Sequence, residues 1–148
     1  MKNQYILIPA IFLSISVSAQ QSRFYSDPEE KFKEAKEYYQ KEQYSLAYPI
    51  LKELQQSVQE TDRSNNPISV QEINYYTIAC ALKQNEGRAI EMATTYIDNE
   101  KNNARVQQLN FHLGEYYYRH EQFAEAGEAY EKSNIANLSN REIADMIR

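Results

Sequence analysis

The chain has no tryptophan, one cysteine, three glycines and four prolines in 148 residues. So little Gly and Pro leaves few tight turns, which disfavours an all-β chain and favours long helices. Cys80 has no second cysteine for an internal disulfide. It reads as a small buried apolar residue, the alternatives being pairing with another chain or reaction with an oxidant. No cluster of Lys and Arg occurs and the net charge is -5, which argues against nucleic acid, whose binding needs a concentrated basic face.

Recognisable chemistry is also missing. There is no Gly-rich phosphate loop and no nucleophile elbow. His112 and His120 lie eight residues apart on one expected helix, more than two turns, too far to share a metal ion. Glu29 and Glu30 belong to a helix start, where the dipole favours them. No catalytic residue, metal or cofactor is therefore expected, and catalysis has no positive support in the sequence. What the sequence has in excess is tyrosine, thirteen of them, to be accounted for by packing, by binding, or by both.

The first nineteen residues stand apart. Lys2 is the only charge before Arg23, Tyr5–Val17 is mostly apolar, and Val17-Ser18-Ala19 ends it with small residues. This is the pattern of a secretory signal peptide, too short for a spanning helix, the alternative being an uncleaved amphipathic or membrane anchor. Cleavage after Ala19 removes one Lys and no acid, giving 15 − 21 = −6. The short, weakly charged leader looks bacterial and points to the periplasm or cell envelope, with no stable membrane span after cleavage.

Residues 20–27 form a flexible lead into the helical domain, 28–148. Asp27, Pro28 and Glu30 give a capping box with proline at the first helical position; Phe32, Ala35, Tyr38 and Tyr39 follow at helical spacing. A second helix carries Tyr44, Ala47, Ile50, Leu51, Leu54 and Val58, with a bend at Pro49 or a start nearer Tyr48. After the polar loop 61–67, Ser69 and Glu72 form a second capping box into a third helix. Asn85 is expected to cap a fourth, carrying Ala89, Ile90, Ala93, Tyr96 and Ile97. A fifth runs over about 104–120, a sixth over about 124–134. Ser139 and Glu142 start a seventh that stops after two turns, too short to stand alone.

The helices come in pairs. Ala47, Ala89 and Ala126 sit near the start of each second helix, 42 and 37 residues apart, a period that marks stacked repeats. The third pair reads Leu113-Gly114-x-x-Tyr117, then Phe123-x-x-Ala126-x-x-x-Tyr130. This resembles the tetratricopeptide repeat, W-x2-L-G-x2-Y…A-x3-F…P over 34 residues, with Asn110 at the large first position and Leu138 at the closing proline. The first pair matches in Ala35, Tyr38, Tyr44, Ala47 and Leu51, the second in Tyr76, Thr77, Cys80, Ala89 and Ala93. About eight extra residues follow the first repeat and three the second, relative to the family length.

The resemblance implies an all-α fold, a right-handed superhelical stack of antiparallel helix pairs. It has three repeats (about 28–61, 70–103 and 107–140) and a partial helix at 141–148. It also implies a groove lined by the first helix of each pair. Carried over by register, the groove positions are Phe32, Lys36, Tyr39 and Gln40; Gln71, Asn74, Ile78 and Leu82; and Gln108, Phe111, Glu115, Tyr118 and Arg119. Tyr38, Tyr76 and Tyr117 take the family's packing positions. The expected partner is a protein or peptide segment in the envelope. A glycan held on exposed tyrosines with flanking amides (Asn65, Asn66, Asn102, Asn103) is the alternative, and the front of a longer array with no partner of its own is a third.

Overall fold

The computed structural model describes residues 27–60 and 69–134. Among these the chain is all-helical, with no strand: α1 (Pro28–Gln40), α2 (Tyr44–Glu60), α3 (Val70–Gln84), α4 (Ala89–Asn99), α5 (Asn103–Arg119) and α6 (Phe123–Glu131). The leader 1–19, the lead as far as residue 26, the loop 61–67 with Asn65 and Asn66, and the start signal at Ser139 and Glu142 with the partial helix 141–148 lie outside the described residues.

Helix starts follow the sequence in part. Asp27 caps α1, its Oδ1 accepting from the Glu29 N–H at 3.0 Å, with Pro28 in the first turn. Ser69 makes no such bond: its hydroxyl donates to Gln71 Oε1, and Glu72, its expected partner, pairs with Lys36 of α1 instead. The second capping box is therefore not formed, because an ion pair on the neighbouring helix takes its carboxylate. α2 begins at Tyr44 and runs through Pro49 without restarting at Tyr48. Pro49 is exposed, so the backbone bond it removes lies on the solvent side.

Asn85 does not cap α4. It ends α3 in the left-handed conformation, φ 59°, and α4 starts at Ala89. The same device closes every odd helix. Glu42, Asn85 and Glu121 all have φ of 59–60°. The next residue's N–H returns to a carbonyl near the end of the helix: Gln43 to Tyr38 at 2.9 Å, Glu86 to Ala81 at 3.0 Å, Gln122 to Tyr117 at 3.0 Å. This is the six-to-one bond of a helix C-terminal motif, and its threefold recurrence marks three helix pairs more firmly than any single residue. The first and third turns also agree in sequence, Tyr-Tyr-x-x-Glu-Gln-aromatic at 38–44 and 117–123.

The second turn is one residue shorter. Five residues separate Glu42 from Ala47 and Glu121 from Ala126, but four separate Asn85 from Ala89. One residue is about 100° of helix rotation, so counting back from Ala89 misplaces every face of α3.

Each helix packs on the next, and the odd helices also pack side by side, α1 on α3 and α3 on α5. α3 therefore has neighbours nearly all round, and Ile73, Tyr75 and the run 77–82 are buried. It divides the core in two. Ile73 and Cys80 join Phe32, Ala35, Ala47, Leu51 and Leu54, while Tyr75, Ile78, Ala81 and Leu82 join Ala89, Ala93, Leu109, Leu113 and Ala129. Within pairs, large and small residues exchange places. Taken from the turns, equivalent sites hold Ala35, Ile78 and Gly114 on the first helices, and Leu51, Ala93 and Tyr130 face them from the second. At Gly114 the fit is tightest: a Cβ there would meet Tyr130 Cδ1 and Cε1 at 2.5 Å.

Candidate functional site

Two regions offer themselves, the face where odd helices meet and a cleft between even helices. On the odd-helix face, Lys36 Nζ lies 2.9 Å from Glu72 Oε1 and 5.3 and 5.4 Å from the ring centres of Phe32 and Tyr76. Partial burial, the largest single influence, would lower the Lys36 pKa, but the hydrogen bond to Glu72 together with the charge of Glu72 and the Tyr76 hydroxyl outweighs it and holds the ammonium above its ordinary value. Phe32 and Tyr39 both set their rings edge-on to Tyr76, with centroids 5.9 and 5.0 Å away.

Deeper in, a polar chain crosses three helices. The Tyr39 hydroxyl of α1 is 3.0 Å from His112 Nε2 of α5, and the Tyr75 hydroxyl of α3 is 3.4 Å from the same nitrogen. His112 Nδ1 is 3.1 Å from Glu115 Oε2, and Lys83 Nζ of α3 is 2.7 Å from that oxygen. An ionised carboxylate only accepts, so Nδ1 donates to Glu115; in the neutral ring Nε2 then accepts from a tyrosine hydroxyl. Burial would raise the Glu115 pKa, but His112 and Lys83 together pull it down to about 2. Tyr39, His112 and Glu115 stand in the order of nucleophile, base and orienter. The imidazole, however, is buried, and its bonds tie α1, α3 and α5 together.

The cleft lies between α2 and α4 with α3 as its floor. It is open to solvent, about 470 Å³, and lined by Gln55, Gln71, Asn74, Ile78, Arg88, Glu91, Met92, Thr95, Tyr96, Asn99 and Glu100. Gln55 Nε2 donates to Asn74 Oδ1 at 2.7 Å, which leaves the other half of each amide for a ligand. The Tyr96 hydroxyl has two acceptors in reach, the Glu100 carboxylate at 2.5 Å and the Gln71 carbonyl at 2.9 Å, and so sits where α4 meets the start of α3. α4 begins only at Ala89, and Gly87 and Arg88 precede it as a turn where α2 has its first helical turn.

The expected groove residues separate accordingly. Phe32, Lys36 and Gln40 line a shallow hollow of about 450 Å³ with Glu72; Phe32 itself is largely buried. Tyr39 and Glu115 belong to the polar chain, and Gln108 is half-buried beside it on α5. Three placements are corrected. Gln71, Asn74 and Ile78 line the α2–α4 cleft and not the odd-helix face. Leu82 is fully buried in the second core cluster. Phe111, 1% exposed, packs on His112 and Tyr130. For α3 the reason is the short turn. Measured from Asn85, the residues equivalent to those of α1 and α5 are Glu72, Tyr75, Ala79, Leu82 and Lys83; the side chains of Glu72, Tyr75 and Lys83 bond to α1 and α5, and Leu82, at the place of Tyr39 and Tyr118, is buried in the second core cluster. Phe111 is buried because its ring lies against the second helix of its own pair.

Tyr118, 60% exposed, stacks edge-on with Phe123, 62% exposed, at 5.6 Å, and Arg119 Nη2 donates to the Leu82 carbonyl at 2.9 Å. Sequence reasoning missed Tyr75, Lys83 and His112 in the network and Gln55, Arg88, Met92, Thr95, Tyr96 and Asn99 in the cleft. His112 and Glu115, three apart on one helix, were the available signal for the first group. For the second there was none, since it depends on α2 and α4 standing apart. Cys80 is buried, which pushes its thiol up to about 12. Asn102 is engaged as the α5 cap, its Oδ1 accepting from the Ala104 and Arg105 N–H groups. Among the described residues no group of three or more His, Cys, Asp or Glu side chains is placed to hold a metal ion, and no helix is long and apolar enough to cross a membrane.

Comparison with family models, with curated proteins and with solved structures found no match.

Proposed function

We propose that this chain is a non-catalytic scaffold of the tetratricopeptide-repeat type, a right-handed superhelical stack of helix pairs exported to the periplasm or cell envelope, where it binds an extended segment of another protein. The observation that carries this is the α2–α4 cleft. Four side-chain amides, Gln55, Gln71, Asn74 and Asn99, surround an apolar floor of Ile78 and Met92. Amides offer a donor and an acceptor at one site, as a peptide backbone does, and the apolar floor gives a side chain somewhere to bury. The recurring turns and the side-by-side odd helices support the repeat architecture.

A second reading draws on the same place. Tyr96 and Thr95 beside the amides also suit a saccharide, whose hydroxyls bond to amides and whose ring faces lie on aromatic rings. Both readings are tested by immobilising residues 20–148 and comparing retention from an envelope extract with that of a variant carrying Asn74→Ala and Asn99→Ala. A polypeptide retained by the parent and lost from the folded variant supports the scaffold. A glycan lost in the same way transfers the cleft to the second reading. Retention that is equal on both chains contradicts a ligand in the cleft.

A further inference from the structure

The charged residues that line the α2–α4 cleft are all paired within the protein. Arg88 holds Glu91 by two bonds, Nε to Oε2 at 3.0 Å and Nη2 to Oε1 at 2.8 Å. The Glu100 side chain is 7% exposed. One of its oxygens accepts from the Tyr96 hydroxyl and from Arg105 Nη1, the other from the Asn102 N–H. A charged group entering the cleft would lose its water and find no counter-charge.

The amides are in the opposite condition, for each is half used. Gln71 Oε1 accepts from the Ser69 hydroxyl, and Asn99 Nδ2 donates to the Thr95 carbonyl at 2.7 Å. These two residues are exposed, while Gln55 and Asn74 are half-buried. The one bond between Gln55 and Asn74 leaves Gln55 Oε1 and Asn74 Nδ2 without a protein partner among the described residues. That is one acceptor and one donor. Turning both amides over exchanges their roles and leaves the same two kinds of atom. Ile78 follows Asn74 by one turn of α3, so an apolar side chain lies beside the amide pair on the same face.

A group that satisfies this pair must be neutral and must donate and accept together. A carboxylate only accepts and would set oxygen against the free oxygen. An ammonium or guanidinium only donates and would face the free N–H. A carboxamide does both, and the methylenes that carry it can lie along Ile78 and Met92.

We propose that the Gln55–Asn74 pair selects a glutamine or asparagine side chain in the segment that the cleft binds. The proposal rests on the reading of the cleft as a polypeptide site and adds which residue of the segment is read.

A random peptide library displayed on phage is panned on the immobilised chain from residue 20 to 148, beside the variant carrying Asn74→Ala and Asn99→Ala. Peptides that the parent retains and the folded variant loses should share a glutamine or asparagine. One of them is then synthesised with that residue and with the matching Glu or Asp, and both forms are titrated by fluorescence anisotropy. The carboxylate form should bind about tenfold or more weakly. Gln55→Met removes the amide at nearly constant shape and should close most of that gap, as should Gln55→Leu; a loss of stability alone would weaken both forms alike. Peptides lost from the double variant that share no carboxamide, or whose Glu or Asp form binds as well, overturn the proposal and leave the polypeptide reading standing. A gap unchanged by both Gln55 variants overturns it too, since another group is then the reader. If the library yields no peptide, or only peptides that the double variant retains equally, the polypeptide reading fails and the proposal fails with it.

Discussion

Tyr39 and Tyr118 occupy the same place in two helix pairs whose turns share nearly the same sequence, yet one is half-buried in a three-helix network and the other is mostly in solvent. Tyr39 meets Tyr44, Tyr76 and His112; Tyr118 meets Phe123. Local sequence set the turn and the edge-on ring pair in both. Among the described residues α3 covers the first ring pair and no helix covers the third, and that difference makes one core and the other surface. A residue's energetic weight is thus set by which helix packs on it as much as by its own side chain.

The comparison is broken most strongly by truncating both rings. Tyr39→Ala should lose about 2–4 kcal/mol of unfolding free energy in urea titration, through lost burial, ring contacts and the hydrogen bond to His112. Tyr118→Ala should stay within about 0.5 kcal/mol of the parent. Comparable losses at the two sites would mean that the Tyr118–Phe123 ring pair is as much a part of the core as Tyr39 and Tyr44.

The network beneath Tyr39 should give the folded state an acid limb. The Glu115 pKa is held near 2 against an ordinary 4.5, a folded value below the unfolded one. Its contribution is therefore complete above about pH 5 and fades as the pH falls towards 2. Two and a half units correspond to about 3 kcal/mol. Glu115→Gln should lower stability at pH 7 and flatten the profile between pH 5 and 2; an unchanged slope would show that Glu115 is not the group responsible.

Glycine sharpens the contrast within one pair. Gly114→Ala drives a methyl into the Tyr130 ring and should destabilise by about 1–2 kcal/mol despite the gain in helix propensity. Gly127 on α6 is exposed with nothing near its missing Cβ, so Gly127→Ala should stabilise by about 0.5–1 kcal/mol. The smallest effect is expected at the turn, where Glu121 holds φ 60° without being glycine. Glu121→Gly should raise stability by a few tenths to about 1 kcal/mol in the same titration.

Much of this architecture was legible. Periodicity and breakers placed all six described helices within a few residues, Asp27 and Pro28 marked the first start, and Ala47, Ala89 and Ala126 revealed the pairs. What misled was a single residue. The pattern of α4 fixes Ala89, but the face of α3 depends on the turn between them, and a left-handed Asn85 cannot be told by composition from a helix cap: Asn suits both. Counting through that turn rotated Gln71, Asn74 and Ile78 onto the wrong face and hid Glu72, Tyr75 and Lys83. Ser69 failed as a cap for a related reason, since the carboxylate that would complete the box is claimed by Lys36, 36 residues earlier. Such long-range claims leave no trace in a local window. Tyr75 and Tyr76 illustrate the same limit: they are adjacent in sequence, yet Tyr75 is buried in the second core cluster while Tyr76 is half-buried and packs against both.

The orientation of α3 is the claim on which both the network and the cleft rest, and cross-linking tests it most directly. With Cys80→Ala as background, Asn74→Cys is combined with Gln55→Cys in one variant and with Lys36→Cys in another, and each is treated with a short bis-thiol reagent. The orientation described predicts rapid cross-linking of positions 55 and 74 and little between 36 and 74. The reverse result would return Asn74 to the odd-helix face and contradict it.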